Sequence, residues 1–281
     1  MAGRIRNWIG KLFGRGGTVI PVVRLNGVIA ADTRPGRLNI AAVGPLLKRA
    51  FDMKAAPAIA IIVNSPGGSP VQSRLISKRI RDLADETGKH VIVFVEDAAA
   101  SGGYFIAVGG DEIIADPSSI VGSIGVISAG FGFVEAIEKL GITRRVYTAG
   151  KSKSTLDPFM PEKAEDVQRL SDFALDIHHV FIDHVKTRRQ GKLTAPDDEI
   201  FTGQWWSALR GLELGLIDAI GDLHETLRTR YGADVQLKLI EPKRPLLSLP
   251  RIGISAGGAG GITGDVIASV EDRALWSRFG L

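Results

Sequence analysis

The chain has 281 residues, 44% hydrophobic and 23% charged, an ordinary globular composition with enough apolar content for a sizeable core. Its formal charge of +4 is too mild to argue for nucleic acid, and no nucleic-acid partner is expected. The absence of cysteine excludes disulfides, thiolate metal sites and cysteine nucleophiles together. Among the five histidines, none forms a His-x-x-Glu-His or similar pattern, so no metal site is expected.

The first residues, "MAGRIRNWIGKLFGRGG", alternate basic and apolar positions. Trp8, Ile9, Leu12 and Phe13 can share one helical face, with Arg4, Lys11 and Arg15 around it. Residues 1–15 therefore read as a segment able to lie on an anionic membrane surface, or as a solvated leader. Their apolar stretches are too short for a secretory core, and no run reaches the roughly 18 apolar residues of a membrane span. The protein is accordingly expected in the cytoplasm, with peripheral contact to the inner membrane through this segment.

"TVIPVVRLNGVIA" (18–30) predicts a buried strand that stops at the turn signal Asn26-Gly27. "NIAAVGPLLKRAFDM" has helical spacing, weakened near its start by Gly44 and Pro45. "AIAIIVNSPGG" is a second apolar strand running into a turn. In "VQSRLISKRIRDLADE", Val71, Leu75, Ile76, Ile80 and Leu83 fall at helical spacing, and Gly88 closes the helix. "HVIVFVE" is a third strand, "GYFIAVGG" a short helix and "DEIIAD" a fourth strand. Pro161 to Gln190 reads as one long helix or a helix pair. "WWSALRGLELGL" is expected to be a helix with a glycine stop, and "VQLKLI" a last strand. "ISAGGAGGITG" (254–264) has the composition of a flexible linker, and "DVIASVEDRALWSRFGL" that of a short amphipathic tail. Unbroken β-branched runs alternating with helices indicate an α/β domain with parallel strands covered by helices. The expected organisation is a leader (1–17), one catalytic domain (18–242), and a linker with its tail (243–281).

Ser101, in "EDAAASGGYFIAVGG", follows a buried strand and opens an apolar helix. The positive end of the helix dipole favours a developing alkoxide there. Gly102 and Gly103 allow close approach to the backbone. Residue 99 is alanine, so the Gly-x-Ser-x-Gly elbow of the α/β-hydrolases does not apply. Taken alone, a serine in this setting is more often a structural turn residue than a nucleophile. "NSPGGS", Asn64 to Ser69, ends the second strand in a tight turn whose backbone N–H groups can face an oxyanion.

"VNSPGGS" followed by "DAAASGGYFIAVGGDEIIADPSSIVGSIGVI" resembles the S49 family of serine peptidases, signal peptide peptidase A and its SohB-type relatives, with the ClpP/crotonase fold. "FTGQWWSALRGLELGLIDAIGDL" (201–223) is similar to that family's closing segment, and the resemblance covers residues 18 to about 240. It implies a Ser–Lys dyad. ClpP-type enzymes carry a histidine downstream of the serine, and "VGSIGVISAG" here has none. A triad drawing on His178, His179 or His184 stays as an alternative. A lysine base must be neutral, which an apolar setting favours.

"YTAGKSKSTLDPF" offers Lys151 and Lys153, and the family register falls on Lys153, ahead of Asp157, Pro158 and Phe159. The resemblance implies that Ser123 in "GSIGVI" orients the lysine, the role aspartate plays in a triad. It places the oxyanion at the N–H groups of Gly68 and Ser69, with Gly102 contributing less. Arg74 stands where many relatives carry an acidic residue. The implied activity is a serine endopeptidase that needs no cofactor or metal. Its partners would be signal-peptide remnants or other unfolded, membrane-derived peptides, and further copies of the chain sharing active sites. Two other functions fit parts of the pattern: a crotonase-type acyl-CoA enzyme, and a non-catalytic scaffold at the membrane.

Overall fold

The computed structural model describes residues 17–34, 36–150, 152–242, 270 and 272–281. Residues 1–16 of the leader, Lys151 and the glycine-rich stretch lie outside the described residues.

Eight strands make one sheet: β1 (Val19–Asn26), β2 (Ala58–Ser65), β3 (His90–Ala100), β4 (Glu112–Ala115), β5 (Ile120–Gly122), β6 (Trp205–Ser207), β7 (Ala219–Ile220) and β8 (Gln236–Leu239). Their order is β6-β5-β3-β2-β1-β8, and β4 branches off β3 to pair with β7. Every pairing is parallel except β5 with β6. β3 is the pivot. Its Ile92–Val95 stretch pairs with β4, and its Ala98–Ala100 stretch pairs with β5. The sheet therefore forks just before Ser101.

Side chains alternate across the sheet with period two. Val23, Leu25, Ile59, Ile61, Val63, Val91 and Val93 join the main core on one face. Ile20, Val22, Ile62, Ile92, Phe94 and Ile114 join a smaller core on the other. Both faces are buried, so the strands read as continuous apolar runs rather than alternating ones.

The helices are α1 (Ile40–Phe51), α2 (Pro70–Thr87), α3 (Gly102–Ala107), α4 (Val134–Lys139), α5 (Ala164–Arg188), α6 (Asp197–Ile200), α7 (Ala208–Glu213) and α8 (Leu223–Tyr231). α8 covers the smaller core through Leu227. α2 starts where the sequence says it should: the Ser69 hydroxyl accepts from the Gln72 N–H, Pro70 occupies the first turn, and Gly88 ends the helix at φ 65°. The long segment after Pro161 is one helix, α5. "WWS" corrects an expectation. It is the short strand β6 rather than the start of a helix, which begins only at Ala208 behind its Ser207 cap. Val71 is also not a core residue, being 64% exposed.

Candidate active site

Ser101 occupies the corner between β3 and α3 with φ 51° and ψ −120°, a conformation that a side chain adopts only under constraint. Such a residue costs about 1–3 kcal/mol and persists only when its surroundings impose it. Here its N–H donates to the Gly122 carbonyl (2.8 Å) and its carbonyl accepts from Phe105 (2.9 Å). All six residues of α3 are buried. The two following glycines are there for contact. A Cβ on Gly103 would meet the Ser65 carbonyl at 2.6 Å, and one on Gly102 would meet Ser73 Oγ at 2.4 Å. The "SGG" sequence thus lets α3 lie directly on the end of β2 and the start of α2.

The "NSPGGS" turn faces the same corner. A Cβ on Gly67 would come within 2.8 Å of Ser101 Cβ. Gly68 bridges to Ile29: Ile29 N–H donates to Gly67 O (2.8 Å), and Ser69 N–H donates to Ile29 O (2.7 Å). Those two groups point to one side of the chain, so the intervening Gly68 N–H points to the other, toward Gly102. A Cβ on Gly102 would lie 3.4 Å from Gly68 N. Neither the Gly68 nor the Gly102 N–H donates a hydrogen bond among the described residues. Ser69 differs from expectation. Its N–H is committed to Ile29, its hydroxyl accepts from Gln72 to cap α2 and its carbonyl accepts from Ser73, so it offers no free backbone donor at this corner.

A cleft of about 610 Å³ opens over Ser101 and is lined also by Gly68, Ser123, Gly125, His178, Thr202 and Trp205. Ser123 is a second serine held at positive φ (54°), its N–H donating to Gln204 O (2.8 Å). An adjoining cavity of about 210 Å³ shares Ser101, Gly68 and Gly102, and its walls are mostly apolar: Val71, Phe105, Val126, Ile177, Val180 and Phe181. Arg74 lines it as well, an exposed cation on the first turns of α2.

The structure brings Ser101, Ser123, Gly68 and Gly102 together and leaves Lys153 apart. Lys153 is exposed, in a turn between α4 and α5, and lines neither cavity. The segment that carries it, 126–163, exposes large apolar side chains: Ile127, Phe131 (82%), Leu140, Ile142 and Tyr147 (91%).

The histidines divide. His178 enters the cleft from α5, where its Nε2–H donates to the Ile124 carbonyl (3.0 Å). His184 packs behind α3, stacked on the Phe105 ring at 4.2 Å, with Nε2 3.1 Å from Phe105 O and 3.0 Å from Ser77 Oγ. Burial pushes its pKa down from 6.5 to about 4; the Phe105 carbonyl opposes the shift, and Arg188 and Arg74 add to it. His179 is exposed. Among the described residues no Asp or Glu lines either cavity to complete a triad with His178. The sequence offers His178 only as one of three alternative histidines, and it does not single out Thr202, Leu275, Arg278 or Phe279 as cleft residues. Nothing in their local pattern marks them, because only the fold brings them to Ser101.

A helix long and apolar enough to cross a membrane is absent among the described residues. The chain aligns over its full length with a Brucella abortus protein named as a Na(+)/H(+) antiporter, at 52% identity over 39% of that protein. It is 30% identical to the chloroplastic serine protease SPPA of Arabidopsis thaliana, over 88% of this chain and 38% of that one. The chain thus spans less than half the length of these relatives. A solved structure of the 1510-N membrane-bound stomatin-specific protease, in complex with a substrate peptide, superposes with a TM-score of 0.51 at 18% identity, covering 81% of this chain and 94% of that one. This likeness establishes the ClpP-like α/β fold. The family model for peptidase family S49 matches residues 84–237, from the end of α2 through the Ser101 corner to β8. With more than half of its length matched in this way, the chain belongs to peptidase family S49, the serine peptidases.

Proposed function

We propose that this serine peptidase is an endopeptidase using Ser101 as nucleophile and Lys153 as base, with residues 18–242 as the catalytic unit. The observation that carries the proposal is the meeting, at one constrained corner, of the Ser101 hydroxyl with two undonated amides, Gly68 and Gly102. The neutral Lys153 amine takes the proton from Ser101 Oγ as Oγ attacks the scissile carbonyl. The Gly68 and Gly102 N–H groups hold the resulting oxyanion. The lysine then protonates the leaving amine. In the second half it takes a proton from water as the water oxygen attacks the acyl carbon, and it returns that proton to Oγ as the C–Oγ bond breaks and the acyl group leaves as the acid. Ser123 orients the amine by accepting one of its hydrogens. The adjoining apolar cavity takes the side chain before the scissile bond, which suits peptides of apolar, membrane-derived type.

Lys153 lies outside the cleft of its own chain, so the proposal includes its delivery by a second copy. The exposed apolar side chains along 126–163 form a surface that such a copy would cover. Burial there would favour the neutral amine. Ser101→Ala and Lys153→Ala should each abolish hydrolysis of an apolar fluorogenic peptide and labelling by a serine-reactive phosphonate, while Lys151→Ala keeps most of both. Mixing the two inactive variants should restore about a quarter of wild-type activity, since about one interface in four then pairs an intact serine with an intact lysine. Persistent labelling of Ser101→Ala would remove the nucleophile assignment. Mixtures that stay inactive, although native mass spectrometry shows mixed oligomers, would place both groups in one chain.

A further inference from the structure

We propose that the C-terminal segment, residues 272–281, is a cover for the Ser101 cleft that must leave before substrate enters. The inference rests on the assignment of this cleft as the active site. Leu275, Arg278 and Phe279 line the same cleft as Ser101 and Ser123. Residues 272–277 are helical, and Asp272, Leu275 and Phe279 fall at i, i+3 and i+7, on one face. That face is held at both walls. On one, Asp272 lies 2.9 Å from the Arg37 guanidinium, beside Leu38, whose backbone pairs with the Ile29 segment that positions Gly68. On the other, the Phe279 ring meets Trp205 edge-on at 6.0 Å, and Trp205 pairs with Gly122, the residue before Ser123. The segment therefore bridges the oxyanion side of the cleft and the Ser123 side.

The segment covers the site without being presented as substrate. No tail residue lines the apolar cavity that would hold the side chain before a scissile bond. None belongs to the buried core either, so its departure leaves the fold intact. A segment joined to its own groove meets it at an effective concentration on the order of 1 mM, so a Kd of about 0.1 mM in trans corresponds to a cleft filled in about nine of ten molecules. Removing the cover should then raise apparent affinity for substrate about 10-fold.

The test compares the full chain, the full chain with Asp272→Lys or Phe279→Ala, and a chain ending at residue 269. The expected result is phosphonate labelling of Ser101 and kcat/KM both about 10-fold higher for the shortened chain, with kcat little changed and the point variants in between. A synthetic peptide of residues 270–281 should restore inhibition competitively. Mass measurement should find the C-terminus intact in the wild type. Equal labelling rates for full and shortened chains would overturn the proposal, as would a wild-type C-terminus trimmed in a Ser101-dependent way. If neither chain is labelled, the nucleophile assignment has failed instead. Docking is then read directly by fluorescence anisotropy of the labelled 270–281 peptide on the shortened chain. Binding that Trp205→Ala weakens supports the cover, and no binding overturns it.

Discussion

Acid should destabilise this protein through His184, and the effect can be sized. In the folded chain its pKa is pushed from 6.5 to about 4, first by burial behind α3, against the pull of the Phe105 carbonyl and with the help of Arg188 and Arg74. In the unfolded chain it regains its ordinary value. Between the two values unfolding takes up a proton. The stability tied to the neutral ring is therefore complete above about pH 6.5 and is lost as pH falls through 4. At about 1.36 kcal/mol per pKa unit, the loss is about 2 kcal/mol by pH 5 and about 3 kcal/mol once the folded ring is protonated. His184→Gln keeps an N–H donor for the Phe105 carbonyl and has nothing to titrate. Urea unfolding of both proteins at pH 7.5, 6 and 5 isolates the histidine, because carboxylates contribute equally to each. The wild type should lose about 2 kcal/mol more than the variant over that range. A gap that stays constant across the three pH values would refute the reasoning. Phe105 also lines the apolar cavity beside Ser101, so the same proton bears on a wall of the site.

Gly102→Ala places a methyl 2.4 Å from Ser73 Oγ, a buried hydroxyl already bonded to Ser69 O (2.8 Å). α3 must shift off the Gly68 turn, and phosphonate labelling of Ser101 should fall about 100-fold or more, as when an oxyanion donor is lost; labelling at the wild-type rate would separate the two amides from catalysis. Arg189 is 3% exposed and donates to Asp218 (2.7 Å) and to the Gly215 carbonyl (2.9 and 2.7 Å). Arg189→Met should cost about 3 kcal/mol in urea unfolding, the low end for a broken buried pair, because Lys192 stays on Asp218. Loss of less than about 1 kcal/mol would mean that the pair behaves as a surface contact.

What the amino-acid sequence determined by itself was local or periodic. The β-branched runs 59–63 and 91–95 can only be strands with two buried faces, and each is followed by a helix, which selects a parallel sheet. Ser69, Pro70 and Gly88 bound α2 by cap chemistry alone. The serine between a strand and a double glycine was legible as a site candidate for the same reason: close approach without a Cβ is a local property. Tertiary structure decided which backbone groups remain to do chemistry. The Ser69 N–H is taken by Ile29, 40 residues earlier, and Gly68 is turned toward Ser101 by the same bridge. "WWS" became a strand because β5 offered an edge, a long-range partner that outweighs the helical spacing of a three-residue stretch. The placing of Lys153 outside the cleft, the entry of His178 and the seating of Phe279 on Trp205 likewise depend on segments far apart in the chain. Such contacts arise from loop closure and packing, which leave no period in the sequence to read.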